Sequence, residues 1–328
     1  MKRRVLARQG LFAAAAAMTL AAIPIAAHAQ QAGRAITIVV PYTPGSGPDI
    51  LARLIGEEVQ ARWSQPVVID NKPGASGNIG TQMAARSAPD GNTILMTTSP
   101  FTNNASLFKT LPYDPVKSFD PIVLVASGTL ALTVHPSVPA KTTQEFIAYA
   151  KQRSGELNYS SPGVGTPHHL AMELFKLQTK TDLKHIPYRG SAGATQDLAG
   201  GHISAGFQVV HVALPLVQAG QLRLLGVASM ERVPAAADVP TLDSAGVKDF
   251  DVPIWYGVLA PAGTPADILA RYNTTLNEIL RSPQVVEKLA KQGLVTKGGT
   301  AASFGAFLKG ERAKWEKVVT EAGIAKVE

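Results

Sequence analysis

The stretch Ile36-Thr37-Ile38-Val39-Val40-Pro41-Tyr42-Thr43-Pro44-Gly45-Ser46-Gly47-Pro48-Asp49 decides the fold. Its first five residues are β-branched without polar alternation, the pattern of a strand buried on both faces. A loop rich in Pro and Gly follows, and Ile50, Leu51, Leu54, Ile55 and Val59 then recur at helical spacing through residues 49–62. Pro48 suits the first turn of that helix, where its missing N–H costs nothing, and Asp49 suits the positive end of the helix dipole. The unit then repeats. A strand at 67–69 runs into a loop at 71–78, a helix through Ile79, Met83 and Ala84, the turn Pro89-Asp90-Gly91 and a strand at 93–97. Strands and helices alternating at this spacing predict a parallel sheet with right-handed crossovers.

Beyond Leu111-Pro112-Tyr113-Asp114-Pro115, two strand-like runs at 122–126 and 130–134 flank Ser127-Gly128-Thr129, a candidate hinge. A second alternation begins there, with helices at 143–153, 168–179 and 194–198 between strands at 157–159, 185–188 and 205–210. A strand at 222–228 follows, Pro234 and Pro240 break the pattern, and a strand at 255–260 precedes amphipathic helices near 266–281 and 303–322. The fold class is α/β, with two similar blocks and a tail that can return to the first.

The N-terminus explains much of the charge. Lys2, Arg3, Arg4 and Arg8 precede an apolar run at 11–27 that ends in Ala27-His28-Ala29. A basic start, an apolar stretch shorter than the ~20 residues of a membrane span and small residues at −3 and −1 predict a cleavable secretion signal at residues 1–29. The whole chain of 328 residues carries a net charge of +7, but loss of this segment leaves 27 Lys and Arg against 24 Asp and Glu, a net +3. No basic run interleaved with aromatics remains, so a nucleic-acid partner is not expected. The chain has no cysteine, which excludes thiol catalysis, cysteine-held metal and a lipid anchor at the cleavage site.

Three loops of small residues each leave a strand and enter a helix: Pro44-Gly45-Ser46-Gly47, Gly74-Ala75-Ser76-Gly77-Asn78 and Ser161-Pro162-Gly163-Val164-Gly165-Thr166. In a parallel sheet such loops sit at the carboxyl ends of the strands, where ligands bind. Unencumbered N–H groups at a helix start suit an anion, and Ser46, Ser76, Ser161 and Thr166 add hydroxyls without charge. None of the loops follows a nucleotide-binding pattern, and no cofactor or metal is expected. His168 and His169 are adjacent, so on a helix they point about 100° apart and cannot share a metal. His169 begins a helix after a glycine-rich loop, and Arg189 follows Tyr188 in a similar place, where it could pair with a carboxylate. A secreted hydrolase using Ser161 or Ser191 with His169 is the rival reading.

The motifs resemble those of the Bug, or TctC-like, solute-binding proteins of tripartite tricarboxylate transporters. The resemblance is carried by residues 41–49 with Ala52-Arg53, then by 71–80, 111–115, 158–163, 165–171, 185–191, 238–241 and 259–265. It implies a periplasmic two-domain "Venus flytrap" with two crossovers, domain 1 at 30–128 plus 250–328 and domain 2 at 129–249, hinged near 127–129 and between Ser229 and Trp255. It implies a monomeric, non-catalytic carrier that delivers a small organic anion to a membrane permease; a sensor subunit feeding a signalling partner is the alternative. The ligand carboxylate is then expected on main-chain N–H groups near Tyr42, Gly45, Ser46, Gly47, Asp49, Ala75, Ser76, Gly77, Asn78, Thr98 and Ser99. Contacts from the second domain are expected at Ser161, Gly163, Gly165, Thr166, His169, Tyr188, Arg189, Gly190 and Ser191. Two positions depart from the family pattern: Ser46 replaces a glycine, and Gln208 stands where relatives often carry Asp or Asn. The missing acidic group argues against an amino-acid ligand.

Overall fold

The computed structural model describes residues 34–321 and 323–327; the expected secretion signal at 1–29 lies outside the described residues. The first lobe opens with β1 (Ile36–Val40), α1 (Gly47–Trp63), β2 (Val67–Asn71), α2 (Asn78–Ala85), β3 (Thr93–Thr98) and α3 (Pro100–Leu107). β1 lies between β2 and β3 and pairs with both in parallel. Ile36, Ile38 and Val40 enter one apolar cluster while Val39 enters another. Burial on both faces is why the strand reads as an unbroken β-branched run.

β4 (Phe119–Val134) is a single strand of 16 residues. The two shorter runs read from the sequence are therefore one element, and Ser127-Gly128-Thr129 is not a turn. Gly128 stays extended opposite Ile254, and its lack of a side chain serves packing: a Cβ there would lie 2.9 Å from Leu294 Cδ2 and 3.0 Å from Ile254 Cγ2. β4 changes partners along its length. Residues Phe119 to Thr129 pair with β9 (Pro253–Pro261), and Leu130 to Val134 pair with β7 (Ala205–Val209).

The second lobe comprises α4 (Thr143–Gln152), β5 (Asn158–Ser161), α5 (Pro167–Thr179), β6 (Lys184–Pro187), α6 (Ser191–Ala199), β7, α7 (Val210–Gln218) and β8 (Arg223–Val227). β5 pairs in parallel with β6 and β7. The chain then returns through β9, which runs antiparallel to β3 and β4, followed by α8 (Ala266–Arg281), α9 (Pro283–Ala290), β10 (Leu294–Thr296) and α10 (Ala301–Glu321). The strand order is β2-β1-β3-β9-β4-β7-β5-β6, with β10 and β8 also beside β4. This is a mixed α/β sheet with a parallel core in each lobe and two connections between lobes, along β4 and into β9. Trp255, at the start of the return, pairs with Ser127.

Four elements are absent from the sequence reading: α3, α7, α9 and β10. The run 205–210 ends as a strand at Val209, and Val210 begins α7.

Candidate functional site

A cleft of about 770 Å³ opens between the lobes. Helix starts build its walls. α1 and α3 point into it from the first lobe, and α5, α6 and α7 from the second, through Ser46 and Gly47, Pro100, Thr166 to His168, Ser191 and Ala192, and Val209, His211 and Val212. The first turn of a helix leaves N–H groups with no partner inside the helix. Side chains cap none of these starts in α1, α3, α6 or α7; only Thr166 caps, accepting from the His169 N–H. The cleft thus faces several positive dipole ends. Among the described residues no Lys, Arg, Asp or Glu lines it, so its field comes from oriented peptide groups and neutral side chains.

The loop between β1 and α1 is held from behind. Asp49 is 2% exposed and accepts from the Gly45 N–H at 2.8 Å, from Arg53 Nη2 at 3.0 Å and from Asn71 Nδ2 at 3.0 Å. Burial alone would raise its carboxyl, but the bonds from Arg53, Gly45 and Asn71 outweigh that and hold it below its ordinary value. Gly47 abuts Tyr256, and a Cβ on it would fall 2.6 Å from the phenol oxygen. Burial pushes both Tyr42 and Tyr256 phenols well above their ordinary values, so each is a neutral O–H at physiological pH.

Of the residues singled out in the sequence, Tyr42, Gly45, Ser46, Gly47, Thr98, Thr166, Ser191 and Gln208 line the cleft. The Ser46 hydroxyl is buried with no partner in the protein. Gln208 Oε1 accepts from Thr195 Oγ1 at 2.9 Å, which leaves its amide N–H as the donor. Other residues form the rim, where the lobes touch. Ser76 Oγ donates to the Val164 carbonyl at 2.7 Å, and Asn103 Nδ2 reaches the Gly165 carbonyl at 3.4 Å. Ala75, Ser76 and Gly77 all hold positive φ, and Asn78 Oδ1 accepts from Asn104 Nδ2 at 2.7 Å. Gly163 faces Ser76, and Gly190 faces Thr43.

Ser99, Ser161, His169, Tyr188 and Arg189 do not line the cleft. Ser99 is buried at the start of α3. Ser161 Oγ bonds His185 Nε2 at 2.7 Å rather than His169. His169 stacks on His185 with ring centroids 4.3 Å apart, and its Nδ1 accepts from the Gly165 N–H at 3.3 Å. It therefore shapes the glycine loop from behind. Tyr188 donates to Asp197, and Arg189 is exposed.

Sequence reasoning missed His168, Thr195, His211, Val212, Pro215, Leu216 and Ile254 as cleft residues. His168 lines the cleft because adjacent helical residues diverge by about 100°, which sends it there while His169 turns inward. Burial lowers His168 and His211 to about 4, so both rings are neutral at physiological pH, and the Nδ1 of each is buried without a protein partner.

A family model described as "Tripartite tricarboxylate transporter family receptor" matches residues 51–324. Among solved structures, R. palustris Rpa4515 with adipate is 36% identical with a TM-score of 0.86, over 90% of this chain and 99% of that one. The periplasmic binding protein BugD is 30% identical with a TM-score of 0.84, over 90% and 99%. MatC (Rpa3494) from Rhodopseudomonas palustris with bound malate is 30% identical with a TM-score of 0.82, over 87% and 99%.

Proposed function

The chain belongs to the tripartite tricarboxylate transporter receptor family, made of solute-binding receptors rather than enzymes, and from that premise we propose that it captures a small organic carboxylate between its lobes for delivery to a membrane permease. One observation carries this reading: five helix N-termini converge on a cleft that, among the described residues, no charged side chain lines. Such a site favours an anion through peptide N–H groups and dipoles without the desolvation cost of burying a cationic side chain. The adipate and malate bound by the two R. palustris proteins support the same ligand class.

In this reading the loop between β1 and α1 takes the carboxylate, with the Ser46 hydroxyl and the first N–H groups of α1 at Gly47 supplying donors beside the Tyr42 hydroxyl, while Gly45, bonded to Asp49, shapes the turn. Thr98 closes that end, with Ser99 buried behind it. The second lobe then folds over it, bringing Thr166, Ser191 and Gln208. The rim residues Ala75, Ser76, Gly77, Asn78, Gly163, Gly165 and Gly190 hold the lobes together, while Asp49, Ser161, His169 and Tyr188 position the loops; Arg189 stands at the exposed edge. Among the described residues, those of 30–128 with 250–328 move as one body and those of 129–249 as the other, a division supported by the exchange of β4 partners between Thr129 and Leu130. Closure removes water and strengthens the hydrogen bonds to the anion. Export by residues 1–29 and a periplasmic location accord with BugD, and no helix among the described residues is long and apolar enough to cross a membrane.

The test is a thermal-shift screen of organic acids. A ligand at ~100 times its dissociation constant adds about 2.7 kcal/mol of stability, which moves the melt by several degrees. A melt that no organic anion shifts contradicts the reading.

A further inference from the structure

α7 is apolar apart from His211 and Gln218. Val210 and Ala213 are buried, while Val212, Pro215 and Leu216, spaced i, i+3, i+4, form a stripe that faces the cleft. A helix this rich in apolar residues is ordinarily buried, yet Val212 is 37% exposed and Pro215 is exposed too. Ile50 of α1, Ala199 of α6 and Ile254 of β9 continue this apolar lining.

We propose that the occupant of this wall is the apolar body of the ligand, so that the receptor is selective for a monocarboxylate with an extended alkyl or aryl body over short di- and tricarboxylates. The proposal rests on the receptor reading above and names its substrate class. Charge supports it: among the described residues no Lys or Arg lines the cleft, and Pro215 and Leu216 lie beyond the first turn of α7, so a second carboxylate set against them would rest on an apolar surface away from the helix-end donors. In the neutral polar pair nearby, Thr195 already donates to Gln208 Oε1 at 2.9 Å, so only the Gln208 amide N–H remains to donate. Size supports it as well. A cavity of about 150 Å³ holds a benzene ring, and this cleft measures about 770 Å³, within the range of drug-sized ligand sites. A ligand as short as malate would leave the stripe wet.

The experiment is calorimetric titration of the purified protein with hexanoate, octanoate, 3-phenylpropanoate, adipate, malate and hexanamide. Hexanoate and adipate share a carbon count and differ in the second carboxylate. Expected results are hexanoate at least tenfold tighter than adipate, and affinity rising by up to about fourfold per methylene from hexanoate to octanoate. Val212→Asn, at a half-open position, should reduce that gain while melting as the parent does. If adipate or malate binds at least as tightly as hexanoate, or chain length has no effect, the selectivity proposal is overturned and the carboxylate receptor stands. If hexanamide binds as well as hexanoate, or no acid binds, the receptor reading falls and this proposal with it.

Discussion

The hydroxyl of Ser76 donates to the Val164 carbonyl at 2.7 Å, joining the loop before α2 to the loop before α5 across the cleft. Its backbone sits at φ +54°, a conformation in which Ser and Ala carry similar strain, so Ser76→Ala isolates the hydroxyl. Loss of one such bond is worth about 1 kcal/mol, roughly a fivefold weakening of ligand binding. Calorimetry measures the affinity, and X-ray scattering should show a larger radius of gyration for the ligand-free variant. Unchanged affinity and radius would mean that this contact has no part in closure.

Gly47→Ala tests the fit of the anion loop. The added Cβ would lie 2.6 Å from Tyr256 Oη and 2.8 Å from its ring edge, and Tyr256 is 1% exposed, so the loop must shift. Overpacking of this kind costs about 1–3 kcal/mol. The expected outcome is a melt lowered by several degrees and ligand affinity reduced at least tenfold, read by calorimetry on the folded fraction.

Legibility in the sequence followed physical simplicity. β1 and α1 were plain because a doubly buried strand and a Pro-started amphipathic helix each leave a pattern at their own period. α7 was not, because Phe207 to Leu216 is nearly all apolar apart from Gln208 and His211, and such a run carries no period to separate a strand from a helix. Pro215 within α7 deepened the ambiguity, since proline normally argues against a helix interior. Gly128 made one strand read as two: β4 continues through it, and its missing side chain serves close packing against Leu294 and Ile254. At the site, the loops were legible as loops. Which of His168 and His169 faces the cleft depends on helix rotation, and that is fixed by tertiary packing.

Asp49→Asn tests the support behind the loop. The carboxylate accepts from Gly45, Arg53 and Asn71, and an amide would set a donor against donors. The expected loss is ~2 kcal/mol, or about 5 °C. Because the Asp49 carboxyl is held below its ordinary value of 3.8, its contribution is present above that pH and is lost as pH falls through the lowered value. Denaturant midpoints of parent and variant should therefore differ at pH 7 and converge in acid.

The histidines predict a separate pH window. Burial lowers His168, His211 and His169 to about 4 and His185 to about 3, with the charge of Lys176 adding to the effect at His169, and those of His169 and Lys176 at His185. An unfolded chain takes up those protons near 6.5, so between pH 6.5 and 4 the unfolded state binds more protons and stability falls as pH falls. Melting temperature should be level from pH 7 to 8 and decline steadily below 6.5. Ligand affinity should change less than twofold between pH 7 and 8, because both cleft histidines stay neutral there.

The central claim is that neutral donors at helix ends recognise a carboxylate. Its most direct test is paired calorimetry of a bound acid and its primary amide, which share shape and differ in charge, at pH 7.5 in 0.02 and 0.5 M salt. The acid should bind at least a hundredfold tighter at both salt concentrations, because buried interactions are screened far less than exposed ones. Equal binding of acid and amide would contradict it.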